Sequence, residues 1–366
     1  MFGTGTKKTT FAIPPASKPI PGRHYLILEQ GHIIKESETV SFTIQKPIGK
    51  GSTSSVFHAV RNIDIDGERD FALKISIPDP HIVKGMEVEV SYHQQIQKLI
   101  PEEHSSKIVK IYYSFVYRKS LCVVLEFNDV PFHKMVEKNQ HRMDLNLVRR
   151  TAHNVLTVLN IMHTIPLIHG DIKPDNLMFN RKSPEVKLGD FGSTISSSES
   201  FIQYFQTRYY RSPESVLQIG YDSKVDIWSL GCSLFELLVG APLFEAENQD
   251  HLLLLILSLI RPIDPAMIQI IQNKHPTIFL NGDLKNEDDF LNEIHIKRKR
   301  KLDFRNKDLK SLLLEHNKIN QKLLESEDVA LLHKFIDLLE KCLIFDYHDR
   351  FSSNEAINHP FFEGFN

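Results

Sequence analysis

Between residues 40 and 127 the apolar positions fall into short runs rich in Val, Ile, Phe and Tyr: VSFTIQKPI, SVFHAVRN, DFALKISI, IVKIYYSFVY and LCVVLEF. Runs of this length and composition, bounded by turn residues, predict strands. One stretch, GMEVEVSYHQQIQKLI (85–100), has helical periodicity instead, and Pro101 follows it. From about residue 131 the pattern changes. Apolar residues recur at helical spacing over 144–163, 224–240, 248–260 and 330–345, which predicts helices. The organisation expected is a small β-rich lobe followed by a larger helical one, with the boundary near EFNDV (126–130).

Two segments fall outside this pattern. Residues 1–22 carry Pro, Thr, Lys and Gly and read as a flexible tail. Residues 281–328 are densely charged and read as a surface insertion with partial helix. The most apolar run, HLLLLILSLI (251–260), is too short to span a bilayer and predicts a buried helix.

Composition adds exclusions more than assignments. Lys and Arg (44) nearly balance Asp and Glu (46) over 366 residues, so no strong field draws the chain to nucleic acid or to a membrane surface. Cys122, Cys232 and Cys342 stand far apart, without metal-ligand spacing, and are expected as small core residues in a reducing compartment. The first twenty residues show no apolar targeting segment.

The candidate chemistry lies in HGDIKPDN (169–176), flanked by the apolar IMHTIPLI and LMF. Burying groups this polar costs several kcal/mol unless each finds a partner, so they are held there for something other than packing. Three further motifs accompany it: IGKGSTSSVF (48–57), a glycine-bearing turn between strand patterns; FALK (71–74), a strand ending in Lys; and LGDFGS (188–193). Each alone is modest, but their order and separation are hard to obtain by chance.

Over roughly residues 42–362 this set resembles the eukaryotic protein kinases, and SPE (212–214), DIWSLG (226–231) and DYHDR (346–350) extend the resemblance. It implies an α+β bilobal protein kinase fold. A small antiparallel β lobe with one main helix (about 42–127) would precede a larger, mainly α-helical lobe (about 131–362), with residues 23–41 as an N-terminal extension. It also implies ATP and Mg2+ as cofactors, Ser/Thr hydroxyls of proteins as acceptors, and a monomer. Gly49 and Gly51 would let backbone N–H groups approach the phosphates, with Ser54 where a third glycine is usual, and Ile48, Lys50 and Ser52 would also belong to the nucleotide site. Val56 and Ala72 would cover the adenine and Met178 would lie beneath it. Leu125 would control the back pocket, and backbone groups of Glu126 and Asn128 would meet the base. Lys74 would hold the α- and β-phosphates, steadied by Glu87 or Glu89. Glu89 is the expected partner, because helical spacing puts Tyr92, Ile96 and Leu99 near its face. His93, where an aliphatic residue is usual, is expected as a half-buried packing residue.

By the same resemblance Asp171 would accept the substrate proton and Lys173 would counter the charge on the transferring phosphoryl group. Asn176 and Asp190 would hold the metal, and Thr207 would keep Asp171 and Lys173 in register. Asp175 is either a turn cap or part of this set. Asp226 would cap the 169–171 turn, and Glu214 would pair with Arg350.

Gly170 stands where family members commonly carry an Arg that reads a phosphate on the activation segment. That route of control is absent, and FIQYFQTRYYRSPE (201–214) suggests a substitute: phosphate on Tyr204 clamped by Arg208 and Arg211. The segment looks most like the DYRK/HIPK branch of the CMGC group, with tyrosine self-phosphorylation. CLK and pre-mRNA-processing kinases are near relatives, and HLLLLIL in place of the LAMMER run argues against CLK. The alternatives are an unmodified, packed Tyr204 and, for the whole chain, a pseudokinase-like nucleotide-binding module. KRKRK (297–301) reads as an import signal, a docking patch or a solvated loop, so nucleus, cytoplasm or both are the expected locations.

Overall fold

The computed structural model describes residues 28–128, 130–131, 143–180, 183–197, 205–297, 302–304, 307–316 and 329–365. The chain divides into two compact units, residues 1–91 with 110–127, and residues 92–109 with 128–366. Tyr204, the 1–22 tail, residues 298–301 of the basic run and residues 317–328 lie outside the described residues.

The first unit is a six-stranded antiparallel sheet in the order β1-β2-β3-β4-β6-β5. Its strands are β1 (Ile33–Lys35), β2 (Ser41–Lys50), β3 (Ser54–Ile65), β4 (Glu68–Ser76), β5 (Ile111–Tyr117) and β6 (Ser120–Glu126). β1 pairs with β2, so the sheet begins upstream of residue 42, inside the stretch read as an extension. Alternation divides the two faces. Phe42, Ile44, Phe57, Ala59, Phe71 and Leu73 point into one apolar core, while Val56, His58, Ala72 and Lys74 take the intervening positions. Phe42 and Phe115 stack at 5.8 Å, and Phe42 meets Phe71 edge-on at 6.1 Å.

Helix α1 runs Pro80–Leu99, five residues longer at its start than the periodicity predicts. The reason is local: the Asp79 carboxylate accepts from the backbone N–H groups of His81 and Ile82, and Pro80 occupies the first turn. Its buried positions are Met86, Val90, His93 and Ile96, followed by Ile100 just past its end, and Leu99 is exposed, contrary to the expected face. His93 is not half-buried but almost fully so.

The second unit is helical, with α2 (Leu145–Thr164), α3 (Pro213–Leu217), α4 (Lys224–Val239), α5 (Gln249–Leu259), α6 (Pro265–Lys274), α7 (Glu287–Glu293), α8 (Leu309–His316), α9 (Val329–Cys342) and α10 (Ser353–Ile357). Short strand pairs carry the polar loops: β7 (Val130–Pro131), β9 (Leu177–Asn180) and β10 (Ser183–Leu188) form one sheet, and β8 (Leu167–Ile168) pairs with β11 (Ile195–Ser196). Helix α5, the run HLLLLILSLI, is buried almost throughout and is capped by Asn248. The charged insertion is not merely a surface feature. Phe290, Leu291, Leu302, Phe304, Leu309 and Leu312 are buried in the unit's main core. All three cysteines are buried and unlinked, and burial pushes the Cys122 and Cys342 thiols up to about 12. Among the described residues no helix is long and apolar enough to cross a membrane.

Candidate active site

In the first unit, strand register places Lys74 opposite Val56 on one side and Val123 on the other, and Ala72 opposite His58 and Leu125. Lys74 Nζ donates to Glu89 Oε1 at 2.6 Å, with both side chains largely buried. Glu87 instead is half-exposed and pairs with Lys84 at 3.3 Å. In the turn after β2, Gly51 N–H donates to the Ser54 carbonyl at 2.8 Å, and Lys50, Gly51 and Ser52 are exposed. A Cβ on Gly49 or Gly51 would meet its nearest neighbours at an ordinary 3.7 or 3.6 Å, so the fold itself does not demand glycine at either position. Ile48 is half-buried on β2. The Glu126 N–H donates to the Lys110 carbonyl at 2.8 Å.

In the second unit, the strand pair β8–β11 ends at Ile168, and the polar turn follows. Asp226, in the first turn of α4 and fully buried, accepts from the N–H groups of His169 (2.8 Å) and Gly170 (2.9 Å) and pairs with His163 Nε2 at 3.0 Å. Gly170 has φ +76, and a Cβ there would fall 2.6 Å from the Ser193 carbonyl oxygen and 3.3 Å from the Phe205 ring. Glycine therefore does more at this position than lack an arginine: the space is taken. Burial lowers the His169 pKa, keeping the ring neutral, and one tautomer serves both of its bonds. Its Nε2–H donates to the Gly189 carbonyl, and Nδ1 accepts from the Asp171 N–H.

The turn presents Asp171 with a full set of donors. Oδ1 accepts from Thr207 Oγ1 (2.7 Å) and Thr207 N–H (3.2 Å). Oδ2 accepts from Lys173 Nζ (2.5 Å) and Asn176 Nδ2 (3.2 Å). Lys173 also donates to Thr207 Oγ1 at 2.9 Å, closing the triangle. Asp190 follows with left-handed backbone (φ 57) and an exposed side chain, while Phe191 beside it is buried against His93 and His169, with ring centroids at 4.5 and 5.2 Å. His93 Nε2 lies 2.7 Å from the Val109 carbonyl, so its polar edge is satisfied inside the core. Met178 is half-buried on β9, opposite Lys187 and Pro131. Asn128 is buried and Asp175 exposed.

Sequence reasoning missed Gln206. Its backbone is left-handed (φ 66) and its side chain is buried. The amide donates to the Val225 carbonyl (3.1 Å) and Ser229 Oγ (2.8 Å) and accepts from Ser212 N–H (3.2 Å), fixing the residue before Thr207 onto α4. No local pattern announces such a residue, because its partners lie 6 to 23 positions away. Arg211 is buried and donates to the carbonyls of Phe205 (3.0 Å) and Gln206 (2.8 Å). Arg208 donates to the Glu247 carbonyl at 2.9 Å. Glu214 and Arg350 form a two-pronged ion pair, 2.6 and 2.8 Å, with both side chains buried.

The model of the protein kinase domain matches residues 42–362. Among curated proteins the chain is 28% identical to the serine/threonine-protein kinase ppk15 of Schizosaccharomyces pombe, over 96% of this chain and 69% of the relative. It is 29% identical to the serine/threonine-protein kinase prp4 of the same yeast, over 90% and 68%. With dual specificity tyrosine-phosphorylation-regulated kinase 2 of Drosophila melanogaster it shares 27%, over 93% of this chain but 43% of that one. A solved kinase-domain crystal structure superposes with a TM-score of 0.73 at 21% identity, covering 93% of this chain and 99% of that chain, which shows the fold. The chain belongs to the protein kinase family and is of the DYRK/PRP4 type.

Proposed function

We propose that this kinase transfers the γ-phosphoryl group of ATP to serine and threonine hydroxyls of protein substrates, and that Tyr204 is phosphorylated by the enzyme itself during maturation. The observation that carries the first part is the Asp171 carboxylate, held by Thr207, Lys173 and Asn176 at 2.5–3.2 Å yet not sealed from solvent. A carboxylate fixed in this way is placed to take the hydroxyl proton as the acceptor oxygen bonds to phosphorus and ADP leaves. Lys173, on the same carboxylate, brings positive charge to the transferring group. Lys74, steadied by Glu89, suits the α- and β-phosphates. The glycines at 49 and 51, which the fold does not itself require, place no side chain between the backbone of the turn and an approaching phosphate.

Membership of the family implies ATP and a divalent metal. The donors fit Mg2+. Asn176 uses its amide nitrogen on the Asp171 carbonyl at 2.7 Å, turning its oxygen away, and Asp190 adds a carboxylate. Two hard oxygen donors suit an ion that keeps waters and takes phosphate oxygens as its remaining ligands. Among the described residues no group of three His, Cys, Asp or Glu could hold a metal by itself. A divalent ion held by Asn176 and Asp190 would supply positive charge to the phosphates of the nucleotide.

Ser54, Gly170 and His93, each a departure from the usual residue, are what favours the other reading, a nucleotide-binding interaction module without transfer. Phosphate incorporation into a generic protein substrate separates the two. Asp171→Ala is expected to lower it by about 10²–10⁴-fold relative to wild type, and equal incorporation would overturn the transfer reading. Intact-mass analysis tests the second part: a fully active wild-type enzyme without phosphotyrosine removes the role given to Tyr204.

A further inference from the structure

The sheet face that carries Lys74, Ala72 and Val56 ends in a group of side chains with no role so far. His58 stacks on Phe127 with ring centroids 4.0 Å apart and planes 9° from parallel. His58 Nε2–H donates to Asp70 Oδ1 at 2.5 Å. The register explains how they meet. His58 is directly opposite Ala72, and Ala72 is directly opposite Leu125 on the other side. Asp70 lies two residues before Ala72 on β4, and Phe127 two residues after Leu125 just past the end of β6, so period-two alternation keeps both on the same face. Strand β3, which carries His58, and strand β6, which ends just before Phe127, flank β4 and stand about 10 Å apart, two strand spacings. Rings carried on the two sides of β4 can touch only by leaning over that strand.

We propose that the Asp70–His58–Phe127 stack is the outer rim of the adenine-covering face, a positioning device that holds segment 126–128 where it reads the base. It rests on the reading of that segment as the adenine-contacting one. Phe127 is flanked by Glu126 and Asn128, whose backbone groups that reading assigns to the base, so fixing its ring fixes both neighbours. Asp70 sets the plane of the imidazole, and the imidazole sets the phenyl ring. The rim therefore acts on nucleotide affinity and not on phosphoryl transfer.

Calorimetric titration of the full chain with ATP and Mg2+ tests this, with melting temperatures and steady-state kinetics beside it. His58→Ala is expected to weaken ATP binding by roughly two- to tenfold, the range for loss of an aromatic pair. KM for ATP rises in step, kcat at saturating ATP is retained, and the melting temperature falls by only a few degrees. His58→Phe, which keeps the stack without the Asp70 bond, restores most of the affinity. Lys74→Met serves as the control for the nucleotide reading. If Lys74→Met loses ATP while His58→Ala binds as wild type does, the rim is wrong and the nucleotide site stands. If His58→Phe is as weak as His58→Ala, stacking is not the cause. If Lys74→Met binds ATP normally, the reading beneath the proposal falls and the proposal with it.

Discussion

Two charged constellations of the larger unit use the same chemistry in opposite surroundings. Glu214 and Arg350 are closed in on every side: the guanidinium bonds both carboxylate oxygens and the carbonyls of Ile344, Lys224 and Phe345, and it lies 5.1 Å from the Trp228 ring. Asp171 and Lys173 are bonded as tightly, at 2.5 Å, but their side chains keep 13% and 19% of their surface in solvent. A pair sealed in the core can only hold chain segments together. A pair with the same bonds and an open side can also meet a third molecule. Reachability separates the two, not bond length.

The sealed pair offers the sharpest break. Arg350→Met leaves the Glu214 carboxylate buried with no cation, which is expected to cost about 3–5 kcal/mol. The double variant Arg350→Met with Glu214→Met removes both charges and should recover part of that loss, because desolvation of the pair is no longer needed. Urea unfolding of the three proteins checks this. A double variant less stable than the single one would show that the pair contributes more than charge compensation.

A middle case lies on α4. Glu236 is half-buried and accepts from Tyr210 Oη at 2.7 Å. Burial is the largest influence and, with Asp175 and Glu245 nearby, raises its pKa from 4.5 to about 7, although the Tyr210 bond pulls the other way. The folded chain thus holds an extra proton between those two values. Stability from that proton is complete below about pH 4.5 and is lost as pH rises through about 7. Glu236→Gln keeps an acceptor for Tyr210 without the charge. It should be about 3 kcal/mol more stable than wild type at pH 8, and more stable by no more than about 1 kcal/mol at pH 5. Urea midpoints at the two pH values decide, and parallel curves would refute the assignment.

These sites were unequally legible in the sequence. Asp171, Lys173 and Asn176 lie within six residues, and HGDIKPDN announces itself by polarity inside an apolar stretch. Asp226 and Thr207 could be named only because their own motifs are distinctive. Gln206, with partners on α4 and in the turn after it, has no such mark, and the left-handed backbone that aims Thr207 leaves no trace in residue type. The insertion misled for a different reason. Its charged residues outnumber the apolar ones, and Phe290, Leu302, Phe304 and Leu309 are too widely spaced to show a period, yet each reaches the core. The start of α1 was legible in principle, since Asp79-Pro80 is a capping signal, but it lies ahead of the apolar periodicity, which by itself points to a start at residue 85.

The smallest change tests the open constellation most directly. Thr207 Oγ1 is the one atom that both donates to Asp171 and accepts from Lys173, at 2.7 and 2.9 Å. Valine replaces that hydroxyl with a methyl of similar shape and keeps the backbone N–H that donates to Asp171 at 3.2 Å. If the hydroxyl holds acid and base apart in a working geometry, Thr207→Val loses a charge-assisted bond, and kcat falls roughly tenfold, equivalent to about 1.4 kcal/mol. The residue is half-buried and Lys173 retains Asp171, so the melting temperature should barely change. Thr207→Ser, which restores the hydroxyl, should recover the rate. Were valine to leave kcat at the wild-type value, the direct Lys173–Asp171 contact would suffice, and solvent access at Asp171 would owe nothing to the threonine beside it.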